Sequence, residues 1–131
     1  MSYSNPITQT VPLGAFLTTA AAVTINVVGP KGMQGRLREI FARSSAVNHV
    51  LGTTTPTKLQ VGIAGSLERF AAFLPPAMTI PTATTLTNLP GASVLTTTVI
   101  AANEQVVVTT VANTGGVPTG TITYELLIDW F

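Results

Sequence analysis

The sequence predicts a single all-β domain built as a sandwich or barrel, and three observations lead there. Threonine is the commonest residue, with valine and isoleucine beside it, and β-branched side chains favour pleated, half-buried surfaces over helices. Short runs with period-two alternation recur along the chain, separated by Gly, Pro and Asn clusters; seven to nine of them can be counted, the pattern of a sandwich or barrel. Charged residues make up only 8% of the 131 residues, against about 25% in ordinary soluble domains. A surface so poor in charge relies little on repulsion for solubility, which fits a protein that works packed into an assembly. At this length one core is enough, and with no cysteine the chain uses neither disulfides nor thiolate chemistry.

Residues 1–12 are read as an extended arm and 13–131 as the sandwich domain: Met1 to Thr10 is polar, carries Pro6 and shows no periodicity. Ala20 to Val28 alternates, with Val23, Ile25 and Val27 on one side, and predicts a strand. Gly29 to Gly35 is a loop. Arg36 to Ser44 has the propensity of a short helix, but Gly35 before it and Ser44-Ser45 after it favour a strand, with Leu37 and Phe41 on one face and Arg36, Arg38 and Ile40 on the other. Val47 to Thr55 is a loop holding His49, the only histidine. Thr57 to Ala64 is a strand with Leu59, Val61 and Ile63 on its dry face.

Ser66 to Leu74 has the features of a short helix: Ser66 to cap it, Glu68 in its first turn, Pro75-Pro76 to stop it, and Leu67, Phe70 and Leu74 on one side. A strand remains an alternative for so short a segment. Met78 to Ser93 is a long connection with a short strand inside it. Val94 to Ile100 and Gln105 to Val111 are strands joined by a turn at Ala101 to Glu104. Thr119 to Phe131 closes the chain as a long strand with Ile122, Tyr124, Leu126, Ile128 and Trp130 on one face. Five large apolar groups on one strand place it at the centre of a sheet.

The residues offer little chemistry. His49 lies between Asn48 and Val50 without a nucleophile-elbow pattern, and one histidine cannot build a multi-histidine metal site. Glu125 and Asp129 share a strand face about 13 Å apart, too far for a glycosidase pair, and the acids follow no calcium-loop spacing. The Gly29 to Gly35 loop lacks the Gly-Lys-Ser/Thr ending of a phosphate loop. No catalytic residue, cofactor site or metal site is predicted. Nor is a small-molecule substrate, a membrane span or a cleavable leader; the chain reads as a cytosolic product starting at its own methionine.

The six basic residues all lie within the first 69 positions, and Glu104, Glu125 and Asp129 lie in the second half. This reads as charge balance inside one domain, or as complementarity between subunits. Arg36, Arg38 and Arg43 form the one basic cluster, too sparse and too poor in aromatics for nucleic acid, and suited to solvated or interfacial ion pairs. Arginine and the terminal aromatics Trp130 and Phe131 are also favoured at protein interfaces. With Tyr3 and Pro6 of the arm they make up the expected contact residues.

Three stretches carry a resemblance: Asn26 to Gly32 leading into Gly35 to Arg38, Thr53 to Gly62, and Thr123 to Phe131. Together they resemble small structural proteins of tailed bacteriophages, of the head decoration (cement) type with a jelly-roll-like sandwich. The resemblance implies a homotrimer seated on the outside of an icosahedral phage head, in contact with the major capsid protein. It implies that the arm and exposed loops touch the shell and that apolar outer faces of the last strands meet at the three-fold axis. Other readings in view are a tail or head-fibre component and a receptor- or carbohydrate-binding sandwich. The latter needs a cluster of exposed aromatics, which five Phe, two Tyr and one Trp can hardly spare from a core.

Overall fold

A computed structural model of the chain describes residues 7–17, 24–44, 53–55, 58–74, 77–79, 83–85, 94–111, 114–116 and 120–131. Eleven strands run in order: β1 (Ile7–Leu17), β2 (Thr24–Val28), β3 (Gly35–Ser44), β4 (Thr53–Thr55), β5 (Lys58–Ile63), β6 (Ser66–Phe73), β7 (Ala83–Thr85), β8 (Val94–Leu95), β9 (Gln105–Val111), β10 (Thr114–Gly116) and β11 (Thr121–Trp130). They form a four-stranded sheet in the order β1-β11-β3-β7, a five-stranded sheet in the order β2-β9-β5-β6-β8, and a separate β10-β4 pair. Every pairing is antiparallel.

The pairings nest. β5 pairs with β6 across the Ala64-Gly65 turn, β3 with β7, β2 with β9, and β1 with β11. This is one long hairpin whose successive rungs fall alternately in the two sheets, closed by the contacts β11–β3 and β9–β5. Eight strands wound so form a jelly roll. Two sheets with one dry face each bury those faces against one another. Leu37, Ile40, Ile122, Tyr124, Leu126, Ile128 and Trp130 from the first sheet meet Val27, Leu59, Val61, Phe73, Val106 and Val108 from the second. The Phe73 and Tyr124 rings cross the gap edge to face, 5.8 Å between centroids.

The expected central strand is there. β11 lies between β1 and β3, its burial alternates without a break, and all five predicted core residues are inside. β5, β9 and the turn before β9 also fall where the sequence places them.

Five expectations change, the smallest being that Thr53–Thr55, read as part of a loop, is β4 and pairs with β10. Ser66 to Phe73 is strand rather than helix: its amide edge completes β5, and so short a segment has little helical stability of its own. In β3 the two faces exchange halfway. Glu39 is opposite Leu127 and Leu37 is opposite Ile128, so Arg38 is an inserted bulge residue. Arg38 and Glu39 thus both point outward, Ile40 is buried and Phe41 is turned to the outer face. The Glu39 carboxylate accepts the Ile40 N–H at 3.0 Å beside the bulge. Residues 7–12, expected in the arm, are the first half of β1 and pair along β11 of the same chain. Pro12 is tolerated because β1 is an edge strand, and a second bulge follows it at Leu13. Of the expected Val94 to Ile100 strand, only Val94–Leu95 pairs as one, with Ile100 making an isolated bridge to Gly35. His49, Val23 and the Pro75-Pro76 stop lie outside the described residues.

Burial drives the Tyr124 phenol well above its ordinary range near 10. Because the folded chain resists ionising a group that the unfolded chain ionises freely, stability is flat below pH about 10 and falls as pH rises above that value. Urea titrations between pH 8 and 11 are expected to show this decline, and Tyr124→Phe to remove its part of it.

Candidate interaction surfaces

The outer face of the four-stranded sheet is where the arginines converge with the late acids. Odd-numbered residues of β11, from Thr121 to Asp129, point outward. Beside them stand Arg36, Arg38, Glu39, Phe41 and Arg43 of β3. Arg38 Nε lies 3.3 Å from Asp129 Oδ2, and Arg43 Nη2 lies 3.8 Å from Glu125 Oε1. On the other flank the Thr8 hydroxyl donates to Asp129 Oδ1 at 2.8 Å. Arg36 is the cross-strand neighbour of Asp129. The charge asymmetry of the sequence is therefore folded into adjacent strands of one sheet. Arg69 and Glu104 join the two halves again at 3.8 Å.

This face is not the apolar surface expected of the last strand. Leu127 is its one large apolar side chain on β11, flanked by ion pairs. The exposed face of the second sheet is different. β2 presents Thr24, Asn26 and Val28, and β9 presents Gln105, Val107, Thr109 and Val111, with no charge among them. Val28 is 63% and Val111 42% exposed. Charge returns only at β5 and β6, where Lys58 pairs with Glu68. Hydrogen bonding by Lys58 and then Gln60 holds the Glu68 carboxyl below its ordinary range.

Trp130 is corrected as a contact residue. It is buried, because it belongs to the inward set of β11, and its ring lies against the backbone of Gly29 and Gly35, where any Cβ would strike it. Its Nε1–H donates to Gln9 Oε1 at 2.8 Å, which pins β1 to the end of β11. Phe131 is half exposed, and its backbone continues the ladder through two 2.9 Å hydrogen bonds with Gln34. Arg36, Arg38 and Arg43 are together on the surface, while Tyr3 and Pro6 lie outside the described residues.

The sequence reading missed the uncharged β2–β9 face and the outward, partly exposed position of Phe41. The first was legible, since placing Val27 inside turns Val28 out. The second was not, because nothing in the local pattern marks a bulge at Arg38. Among the described residues, no group of three or more His, Asp or Glu stands close enough to hold a metal ion, and no helix is long and apolar enough to cross a membrane. Compared with known proteins, the chain matches no family model, no curated protein and no solved structure.

Proposed function

We propose that this protein is a structural part of a virus particle. In this reading it is a head decoration protein, a homotrimer that seats on the outside of an icosahedral phage shell, binds its major capsid protein and stabilises it. The observation that carries the reading is the uncharged β2–β9 face, with Val28 and Val111 open to solvent. A free monomer has little use for such a face, and charged residues are depleted at the centre of protein interfaces, so a face without charge suits burial against a partner. The three phage-like stretches and the jelly roll, a fold that recurs in viral capsids and in lectins, support it. Fold alone does not assign function.

The mechanism needs no chemistry. A module that binds the assembled shell and not its dissociated subunits stabilises the shell by mass action. Three linked feet bind as one, with an effective concentration far above that of a single foot. The contacts would be made mainly through uncharged side chains, so binding would persist at high salt.

Native mass spectrometry of the free protein, followed by electron microscopy of expanded empty heads mixed with it, tests this. A trimer and added density at three-fold positions are expected. Val28→Asp with Val111→Asp, both on exposed side chains, should lower occupancy at least tenfold and leave the circular dichroism unchanged. A monomer that binds no shell and enriches on a glycan array would replace the reading with carbohydrate recognition.

A further inference from the structure

We propose that the outer face of the β1-β11-β3-β7 sheet is a self-complementary docking surface, occupied by the same face of a second copy of this chain. The argument starts from charge. The face carries three arginines, all on β3, and three carboxylates, Glu39 on β3 and Glu125 and Asp129 on β11. The arginines form a column, and the two β11 acids form a second column one strand away. Their order along the strands is matched: Arg36 and Arg38 stand at the height of Asp129, and Arg43 and Phe41 stand near Glu125.

Two identical faces can meet about a two-fold axis lying in the plane between them. An axis across the strands sets the arginine column of one copy on the arginine column of the other. An axis along the strands, between β3 and β11, sets each copy's Arg36 over the other's Asp129 and brings its Arg43 within two residues of the other's Glu125. The second arrangement gives Asp129 and Glu125 a cation from each copy and gives Arg36, which has no ion pair among the described residues, an acid to meet. Phe41, partly exposed, then stands over Glu125 of the other copy and Leu127 over its Glu39, each diagonal to its own counterpart across the axis. Electrostatic complementarity of this kind selects the orientation.

Size sets the strength. Three strands about ten residues long and about 4.8 Å apart span roughly 500 Å². Two faces together bury about 1,000 Å², the lower end for a specific interface. The pairing is therefore weak and concentration dependent. It joins copies in twos, so it is separate from a three-fold contact and does not depend on the shell reading.

The test is charge reversal read by sedimentation velocity and native mass spectrometry. Arg38→Glu with Arg43→Glu makes the face acidic, and Glu125→Arg with Asp129→Arg makes it basic. Each variant alone should lose the paired species, halving the mass whether the unit that pairs is a monomer or a trimer. An equimolar mixture should form a mixed pair at least tenfold tighter than the parent, weakening as salt is raised. The milder Arg38→Gln with Arg43→Gln, which leaves no like charges side by side, should weaken pairing severalfold and serves if a reversed variant does not fold. A parent that does not pair at any concentration would overturn the proposal. So would pairing unaffected by reversal, or folded variants that stay apart on mixing. Trimers that persist in the reversed variants would leave the three-fold reading standing in each case, and monomers would remove it.

Discussion

Trp130→Ala is expected to destabilise the fold by about 3–5 kcal/mol, the usual range for removing a buried large aromatic. Gly35→Ala, which deletes nothing, should cost about 3 kcal/mol. The reason is the same contact seen from two sides. A Cβ on Gly35 would stand 2.5 Å from Trp130 Cζ3, and one on Gly29 would stand closer still to the ring. The indole has no room to retreat: it is buried, hydrogen-bonded to Gln9, and borne on a strand locked between β1 and β3. Gly35 itself is tied to Ile100 by hydrogen bonds of 2.9 and 2.7 Å in the two directions, so its backbone cannot yield either. Against a total stability of about 5–15 kcal/mol, either change takes a large share.

The pair should be strongly non-additive. With the ring removed, the added methyl of Gly35→Ala enters the space the indole leaves, so Trp130→Ala with Gly35→Ala should be less damaging than the sum by about 1–3 kcal/mol. Urea denaturation of the two single variants and the double variant measures this directly. Additive losses would mean that the glycines are conserving backbone freedom and not making room for the ring.

That contact also shows where a sequence stops being readable. The inward set of β11 could be read because alternation over ten residues allows only two assignments, and five large apolar groups choose between them. The partner of Trp130 could not, because a glycine that makes room for a ring looks like a glycine that makes a turn. Nested pairing was hidden for a related reason: each strand's alternation says which face is dry and nothing about its neighbour. The exchange of faces in β3 arises from one extra residue, Arg38, opposite an unbroken β11, and an insertion is visible only against its partner strand. For Ser66 to Phe73 the apolar spacing of Leu67, Phe70 and Leu74 fits a helix as written. In the fold Leu67 is partly exposed while Phe70, Ala71, Ala72 and Phe73 are all buried, a strand covered on both sides. Of the candidate contacts, Arg36 and Arg38 could be read onto one face of β3, but strict alternation sets Arg43 on the other, and only the bulge at Arg38 brings it into their column; the pairing with the β11 acids waited on the sheet order.

Gly62→Ala should be the most damaging small substitution in the second sheet, by about 3 kcal/mol. Alternation in β5 turns Gly62 to the outer face, yet it is buried, because β6 folds over it. Ile63 is opposite Ser66 and Val61 is opposite Ala71, so residues 67–70 stand against Gly62 alone. A Cβ there would meet the Ser66 carbonyl oxygen and the backbone of Leu67. Backbone cannot move aside as the end of a side chain can, and on its other flank Gly62 is opposite Val107 of β9. Relief would require β6 to lift from β5, and β5–β6 is the innermost rung of the rolled hairpin. Gly65, three residues on, gives the contrast. It has φ +85 with open space where its Cβ would be, so Gly65→Ala carries only the cost of the left-handed conformation, about 1 kcal/mol, and Gly65→Asn less. Thermal and urea unfolding should rank Gly62→Ala well below Gly65→Ala in stability. Equal losses would show that the strain lies in the turn and that the bulge of β6 can shift to admit a methyl group.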